Sequence, residues 1–297
     1  MRIFTSQILR EMATQRRRVL SDWRIHVIAR RLAHAENAQL PDERRSAAFR
    51  DELRRRGDIV GVDGVAGVNI VDVPYAHLLD VSEEQIIQEA NPGAVFGFLT
   101  AMTLHGLTDL AAREVYAIAT KGGKTAGRLP LGTTPEDWAD GASSPSPRRP
   151  KRVRDVVVNW TQPADEPGFG VTVGYSLGVP IYVTDLERTL LDALNSPDKA
   201  GGIAKVLEMW RAADGVDLGT LVSYADKYDN QVLRQRVGFL LSKLGRPHPR
   251  LDEWKRDLQR GGSMKLVAGD PYSEVYSAEW NLSLNVPPSV LAILDEE

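Results

Sequence analysis

A glycine-rich hairpin pattern directly after three helical patterns is the feature that most restricts how this chain can fold. Residues 57–73 read GDIVGVDGVAGVNIVDV, in which the runs Ile59-Val60 and Asn69–Val73 flank a turn that contains Asp63-Gly64. An Asp-Gly pair between two β-branched runs is typical of a β-hairpin. We therefore predict that the two runs pair as antiparallel strands.

Apolar residues recur at helical spacing in the three segments before this hairpin. Three helices followed by a hairpin are the order of a winged helix-turn-helix, and we predict such a domain over residues 1–80. Serine or aspartate at a helix start, and glycine after its end, set the expected boundaries. The predicted helices are Thr5–Leu20, a second one capped by Ser21 or Asp22, and a third over Asp42–Arg56, between Pro41 and Gly57.

The basic residues are distributed unevenly. Residues 1–60 contain 14 arginines, no lysine and 8 acidic residues, a net charge of +6, whereas the whole chain has a net charge of −3. Arginine makes bidentate contacts to phosphate and guanine that lysine does not. A basic segment joined to an acidic body indicates two functions with two partners. The alternative is that these arginines only solvate the outer faces of helices.

The third predicted helix has a buried side and an arginine-rich side. At about 100° per residue, Phe49 and Leu53 lie opposite Arg44, Arg54 and Arg55. The small residues Ala47 and Ala48 lie between the arginines and would let the helix enter a major groove, unless they pack against another helix instead. We predict that DNA is contacted by the arginines of this helix, namely Arg44, Arg45, Arg50, Arg54, Arg55 and Arg56.

The rest of the chain, residues 81–297, predicts a mixed α+β domain with a helical C-terminal half. Thr184 and Glu187 have the spacing of a capping box at the start of a helix. The strand with the most regular alternation is Tyr276–Val286. Further predictions are a helix over Pro92–Leu107, strands over Val115–Thr120, Val153–Trp160, Gly170–Tyr175 and Val179–Val183, an exposed loop over residues 131–152, and helices over Ile203–Ala213, after Asp217 and after Asn230.

Several classes of chemistry find no support in the sequence. The absence of cysteine excludes disulfides, thiol catalysis and cysteine-containing zinc sites. The five histidines are scattered, and Gly122-Gly123-Lys124-Thr125 lacks the first glycine of a phosphate loop. We expect no metal, no cofactor and no catalysis. No apolar run reaches the length of a membrane span, and no signal peptide is evident, so we expect a cytoplasmic protein.

The segment VTDLERTLLDAL at residues 183–194, with Pro197, Gly201-Gly202 and Trp210 after it, resembles the core signature of the AbiEi antitoxin family of type IV toxin–antitoxin (abortive infection) systems. Three further stretches are similar to segments of that family: HGLTD at residues 105–109, QRVGFLL at 235–241, and the strand at 280–285. The resemblance covers about residues 90–286. The signature residues that we expect to be structural are Thr184, Glu187, Arg188, Thr189 and Asp192.

The resemblance implies a function. Antitoxins of this family bind inverted repeats in their own promoter through a winged helix and repress the operon, and their C-terminal domain counteracts a toxin that resembles a nucleotidyltransferase. Promoter DNA and the cognate toxin are then the expected partners. Two alternatives stay open at this point. One is an enzyme, a nuclease or toxin-modifying activity with Asp185 and Asp192 as candidates, and the other is a stand-alone transcriptional regulator that senses a small ligand.

Overall fold

The computed structural model describes residues 2–110, 113–119, 128–139, 145–161, 169–258 and 263–295, and its contacts divide the chain into two compact units of mixed α+β structure. The predicted boundary near residue 80 differs from this division, because two later stretches pack with the N-terminal segment. None of the described helices combines the length and apolarity needed to cross a membrane. Unit 1 comprises Met1–Phe96, Arg113–Glu166 and Val173–Tyr182, and unit 2 comprises Gly97–Ala112, Pro167–Thr172 and Val183–Glu297.

Unit 1 begins with three helices and a three-stranded antiparallel sheet. The strand order is β1-β3-β2, with Val19 opposite Ile70 and Ile59 opposite Val71, so the predicted hairpin is confirmed. The elements are α1 (Arg2–Thr14), β1 (Val19–Ser21), α2 (Asp22–Ala35), α3 (Glu43–Arg55), β2 (Ile59–Gly61) and β3 (Val68–Val71).

Side-chain caps explain where α2 and α3 begin: Ser21 is one of the two caps predicted for α2, whereas Asp42, predicted as the first residue of the third helix, is instead its cap. The Ser21 side chain accepts a hydrogen bond from the Arg24 amide at 3.2 Å, and Asp42 accepts one from the Arg45 amide at 2.7 Å. Each cap satisfies a backbone donor that the helix itself leaves unpaired. Gly57 follows α3 with a φ of 74°, a conformation that glycine adopts without strain.

The prediction of one long first helix over Thr5–Leu20 is wrong. The helix α1 ends at Thr14, and Arg16 then has a φ of 50°, which a right-handed helix cannot contain. The chain continues into β1, which pairs with β3. The helical periodicity ends before the β-branched residue Val19, whose pairing with Ile70 decides the local structure.

The following elements build a six-stranded sheet with the order β6-β7-β5-β4-β9-β8. Strand β5 runs parallel to β7, with Val115 opposite Val158, and β4 runs antiparallel to β5. The predicted strands around residues 115, 170 and 180 are confirmed within two residues. In chain order the elements are α4 (Glu83–Ala90), β4 (Val95–Phe96), α5 (Phe98–Leu104, in unit 2), β5 (Glu114–Ile118), β6 (Arg152–Val153), β7 (Val156–Thr161), β8 (Val171–Ser176) and β9 (Val179–Thr184).

Helix α4 joins the N-terminal segment through one buried carboxylate. Glu89 is 3% exposed and accepts hydrogen bonds from the Arg24 Nε atom at 2.8 Å and the Ser21 hydroxyl at 2.6 Å. Its carboxylate also lies 3.4 Å from the guanidinium of Arg17, and its backbone carbonyl accepts from the Trp23 indole at 2.9 Å. A buried carboxylate needs such partners, because an unpaired charge in the interior is costly.

Two predicted elements between residues 92 and 160 are wrong. The helix predicted over Pro92–Leu107 is the strand β4 followed by the short helix α5, and Phe98, at the start of α5, has a φ of 53°. The strand predicted over Val153–Trp160 is two antiparallel strands, β6 and β7, because Arg154 has a φ of 50° and reverses the chain. A pattern of apolar residues does not reveal such a reversal.

The exposed loop predicted over residues 131–152 is exposed at most of its described positions, but its first part is more ordered than a solvated loop. Residues 135–138 form a 3-10 helix, and Asp137 is 8% exposed. The Arg31 guanidinium on α2 donates to both Asp137 oxygens, at 2.7 and 2.5 Å, and Arg30 donates to the Ala139 carbonyl at 2.8 Å. These contacts compensate for the polar composition, which had indicated a solvated loop. Residues 140–144 lie outside the described part.

Unit 2 is a helical assembly with a small sheet at its C-terminal end. Two of its helices start at predicted caps: Asp217 accepts from the Thr220 amide at 2.6 Å and Asn230 from the Leu233 amide at 3.2 Å. Trp210 and Trp280 are fully buried in its core. The elements are α6 (Leu186–Asn195), α7 (Ile203–Ala212), α8 (Leu218–Lys227), α9 (Gln231–Lys243), α10 (Pro249–Arg256), β10 (Met264–Lys265), β11 (Tyr276–Ser277), β12 (Leu282–Ser283) and α11 (Pro288–Leu291).

The single strand predicted over Tyr276–Val286 is also wrong. Only β11 and β12 form within it, and they pair with each other as an antiparallel hairpin, with Tyr276 opposite Ser283. Asn281, just before β12, has a φ of 48°, a region that asparagine tolerates better than most residues. The alternating pattern continues through the turn by coincidence of composition.

Candidate nucleic-acid interface

The outer face of α3 carries the residues that the sequence predicted there. Phe49 and Leu53 are buried, at 3% and 0% exposure, and the Phe49 ring stacks on Phe4 with centroids 5.7 Å apart. Arg44 and Arg55 are exposed on the opposite side, with Asp51 between them in the same stripe. The helix thus presents a polar, arginine-containing face to solvent while its apolar face holds the core of unit 1.

Two of the six predicted arginines have uncommitted side chains. The guanidinium groups of Arg44 and Arg45 are exposed and make no hydrogen bond or ion pair with any residue that the structure describes. Both lie in the first turn of α3, where the helix begins at the Asp42 cap. They are the cations of α3 that are most available to an anionic partner.

The other four predicted arginines have partners within unit 1. Arg50 pairs with Asp22 at 3.0 Å and with its neighbour Asp51 at 2.9 Å. These pairs are partly exposed, and such pairs contribute only about 0–1 kcal/mol each. They therefore exchange at low cost for a phosphate. The remaining contacts are Arg54 to Asn69, Arg55 to Glu52, and Arg56 to Asp58 and Thr5.

Helix α3 is positioned against α2 by a buried hydrogen bond. Ser46 Oγ donates to the Asp42 carbonyl at 2.9 Å, so the proton shared with His26 comes from the histidine Nδ1 atom, 2.8 Å away. Burial, and then the charge of Arg30, lower the pKa of His26, while Glu43 and Asp42 oppose them. The lowered pKa favours the neutral form of His26 at this contact between α2 and α3.

The β2–β3 hairpin beside α3 has no cation of its own. No lysine or arginine occurs from Gly57 to Ala112, whereas Asp58, Asp63 and Asp72 lie within or next to the hairpin. The hairpin is joined to α3 through Asn69, which accepts from Arg54. The count of arginines over residues 1–60 did not reveal that the hairpin itself has no lysine or arginine.

A cavity of about 370 Å³ lies beside α3 in unit 1. Its size falls in the range of small-molecule sites, which is about 300–1,000 Å³. Sequence reasoning missed it, because its walls come from five separate segments, including the end of α4. The lining includes Trp23 and His26 of α2, Ala47 and Arg50 of α3, Gly67 of the hairpin turn, and Arg148.

The signature threonines of unit 2 connect a strand to a helix. The Thr184 and Thr189 hydroxyls lie 2.8 Å apart, and Thr189 also donates to the Asp185 carbonyl at 2.7 Å. His105 donates from Nε2 to the Thr184 carbonyl at 2.7 Å. The predicted capping box is wrong, because Thr184 ends β9 and the cap of α6 is Asp185, which accepts from the Arg188 amide at 2.9 Å.

The charged signature residues make contacts within unit 2. Glu187 accepts from the Asp217 amide at 2.9 Å instead of reaching back along its own helix. Arg188 donates to the Phe169 carbonyl at 2.9 Å and lies 3.4 Å from Asp192. Burial raises the pKa of Asp192, and Arg188 and then the Tyr228 hydroxyl oppose that effect.

The two carboxylates considered for catalysis have separate partners. Asp185 accepts from the Tyr224 hydroxyl at 3.0 Å, whereas Asp192 accepts from the Tyr228 hydroxyl. Seven residues separate them along one helix, a rise of about 10 Å. Among the described residues, no three His, Cys, Asp or Glu side chains are grouped as a metal site would require.

The four stretches that carry the family resemblance meet in unit 2. His105 contacts Thr184, as above, and Arg236 of α9 lies 3.5 Å from the Leu194 carbonyl at the end of α6. Gln235 donates to the Trp280 carbonyl at 3.1 Å. Residues of these four stretches therefore bond to one another and connect elements of one core.

Comparison with known proteins finds a likeness among solved structures. No family model and no curated protein matches the chain. Among solved structures, the crystal structure of the Rv2827c protein from Mycobacterium tuberculosis is similar, with 16% sequence identity and a TM-score of 0.50 over 99% of this chain and 95% of that chain. At that identity the likeness shows the fold alone. The resemblance drawn from the signature stays a prediction.

Proposed function

We propose that this chain is an antitoxin that binds promoter DNA through a winged helix-turn-helix in unit 1, represses its own operon, and counteracts a nucleotidyltransferase-like toxin through unit 2. The observation that carries the DNA-binding part is the outer face of α3. Arg44 and Arg45 are uncommitted there, in a helix whose other face is fixed by Phe49 and Leu53.

The order of elements supports the same proposal. Unit 1 runs α1, β1, α2, α3, β2, β3, with β3 central in the small sheet. This is the order of a winged helix, in which α3 is the recognition helix and the β2–β3 hairpin is the wing. A recognition helix reads base edges from the major groove, and arginines at its start also contact phosphates.

The antitoxin part rests on the resemblance of unit 2 to the AbiEi family. Its support is that the four similar stretches form one contiguous core instead of being dispersed. In this proposal, unit 1 acts on DNA and unit 2 acts on the toxin. The two activities should therefore be separable by substitution.

The DNA-binding part is tested with the full chain and DNA from upstream of its own reading frame. Log affinity falls as log salt concentration rises. We expect Arg44→Ala combined with Arg45→Ala to make this slope shallower by about 1.8, since each phosphate contact contributes about 0.9. Arg10→Ala with Arg16→Asn is the matched control. It removes two uncommitted arginines from outside α3, and asparagine tolerates the φ of 50° at position 16. An equal change of the slope in the two double variants, or no DNA binding by the native chain, would contradict the proposal.

The antitoxin part is tested by growth rescue. The chain is expressed with the neighbouring nucleotidyltransferase-like gene, and we expect it to restore growth. The Arg44→Ala, Arg45→Ala variant should restore growth equally well while losing repression of a reporter placed behind the promoter. Failure of the native chain to restore growth would exclude the antitoxin function.

A second candidate is a regulator that responds to a small ligand, and the cavity beside α3 favours it. A ligand there would contact both α3 and the hairpin turn, and so would alter DNA binding. A thermal-shift screen with metabolites tests it. A ligand that raises the melting temperature and changes DNA affinity, with no effect of toxin, would favour this candidate.

A further inference from the structure

A basic segment distant in sequence lies against the turn of the β2–β3 hairpin. Arg148 donates its backbone N–H to the Ala90 carbonyl at 2.9 Å, and a Cβ on Gly67 would lie 2.5 Å from the Arg148 Nη1 atom. The segment is anchored further along, where the Trp160 indole donates to the Pro150 carbonyl at 2.8 Å. The Arg148 guanidinium is thus placed beside the hairpin by a bond of its own backbone and by an anchor two residues later in the chain.

The Arg148 side chain has no other evident role within unit 1. It is exposed, and it forms no hydrogen bond or ion pair with any residue in the part of the chain that the structure describes. It also lines the cavity that Arg50 of α3 lines. An exposed, uncommitted guanidinium held against a turn is suited to bind an anion that approaches that turn.

The hairpin needs such a cation if it is to approach DNA. Asp58, Asp63 and Asp72 give it a negative charge, and the chain contains no lysine or arginine between Arg56 and Arg113. Two like charges repel, so an acidic hairpin alone would weaken the binding of a phosphate backbone. Arg54 and Arg18 also contact β3, but they are bonded to the Asn69 side chain and to the Val71 carbonyl. Among the described residues, the uncommitted cation beside the hairpin turn is Arg148.

We propose that Arg148 contacts a backbone phosphate beside the hairpin turn, so that the segment containing Arg148 supplies the cation that the hairpin lacks. The proposal rests on the proposed DNA-binding function and adds a contact outside the three helices.

The test uses the full chain and measures DNA affinity against salt concentration, on promoter DNA and on unrelated DNA of equal length. We expect Arg148→Ala to make the slope of log affinity against log salt concentration shallower by about 0.9, which is roughly an eightfold loss of affinity at 0.1 M salt. The loss should be the same on both DNAs, because a phosphate contact carries no sequence information. Arg148→Lys should restore the slope, since lysine also binds phosphate as a point charge.

Arg152→Ala is the matched control in the same segment. Arg152 is exposed, but it donates to the Asp155 carbonyl at 3.2 Å, and its loss should leave the slope unchanged. An equal effect of Arg152→Ala would overturn the inference, because it would indicate a non-specific effect of charge. An unchanged slope in Arg148→Ala, while Arg44→Ala with Arg45→Ala still weakens binding, would overturn it and leave the proposed function standing. A lowered melting temperature that Arg148→Lys does not restore would also overturn it, by showing a structural role.

Discussion

Asn69 of β3 accepts two hydrogen bonds from the Arg54 guanidinium of α3, at 2.9 Å from Nε and 2.7 Å from Nη2. Asn69 is fully buried and also donates to the Leu20 carbonyl in β1 at 3.1 Å. One amide therefore joins the helix proposed to read DNA to two strands of the small sheet. The position of the hairpin relative to α3 depends on it.

We expect Asn69→Ala to lower the free energy of unfolding by about 1–3 kcal/mol, because it leaves the buried Leu20 carbonyl without that donor. Hydrogen exchange at the amides of β1 and β3 should increase with it. Arg45→Ala serves as the control and should change stability by less than about 0.5 kcal/mol, since its side chain is exposed and without a partner. Denaturant unfolding of the full chain measures both, and equal effects of the two variants would show that Asn69 is not a structural joint.

Gly238→Ala should destabilise unit 2. A Cβ at this position would overlap the ring of Trp280, which is fully buried and cannot move aside. Alanine would gain about 1 kcal/mol in helix propensity, but overpacking a filled core costs about 1–3 kcal/mol and more where nothing yields. The clash should therefore outweigh the gain in helix propensity, so that the free energy of unfolding decreases.

Gly269→Ala is the matched control, because nothing lies within 4 Å of a Cβ at that position. Thermal unfolding of the two variants should show a lower melting temperature for Gly238→Ala only. A stabilised Gly238→Ala variant would mean that the core around Trp280 has room that the structure does not show.

The stability of unit 1 should fall as the pH falls through the range below about 6.5. Burial and Arg30 lower the pKa of His26 in the folded chain, so the unfolded chain, with an ordinary histidine pKa of about 6.5, takes up the proton first. The free energy of unfolding then decreases between the unfolded and the folded pKa, and is unaffected by His26 above the unfolded pKa.

His26→Asn should remove this part of the pH dependence, since its amide can donate to Ser46 without titrating. His34→Asn, at the exposed end of the same helix, should retain it. The measurement is denaturant unfolding between pH 5 and pH 8, the range in which histidine side chains change their charge. An unchanged pH profile in His26→Asn would assign the dependence to other groups.

Asp137→Ala should loosen residues 131–139 on α2. Asp137 accepts from Arg31 and from the Thr134 amide at 2.7 Å. Without it, the segment keeps the bonds that arginines of α2 donate to its backbone carbonyls. We expect faster hydrogen exchange at the Thr134 amide and a loss of about 1–3 kcal/mol of stability in unit 1. Glu136→Ala is the control, since Glu136 is exposed and lies one position away. Equal exchange in both variants would contradict the anchoring.

The sequence was sufficient where a boundary depends on local chemistry. The Ser21 cap, and Pro41 and Gly57 on either side of the third helix, act within three or four residues, so they predicted the start of α2 and both ends of α3 within one residue. The buried side of α3 followed from its periodicity for the same reason. The face proposed to contact DNA was therefore available from the sequence.

The sequence was insufficient where distant residues decide the outcome. Val19 joins a strand because Ile70 is its partner, and Asp137 is buried because Arg31 reaches it across 106 positions. Which arginines stay available depends in the same way on acceptors elsewhere in the chain: Arg54 is occupied by Asn69, whereas Arg44 has no such partner. The amino-acid composition does not distinguish an arginine that has a partner from one that is available.

The bonds to Glu89 determine how this protein can be divided. A fragment that stops at residue 80 keeps Arg17, Ser21, Trp23 and Arg24 but removes the residue that holds all four. Because the later segments that cover Arg17 and Arg24 are removed as well, these two guanidinium groups would lose both their counterion and the contacts that bury them. The N-terminal piece should therefore be less stable alone than within the full chain, although the apolar core of its helices and small sheet lies entirely before residue 80.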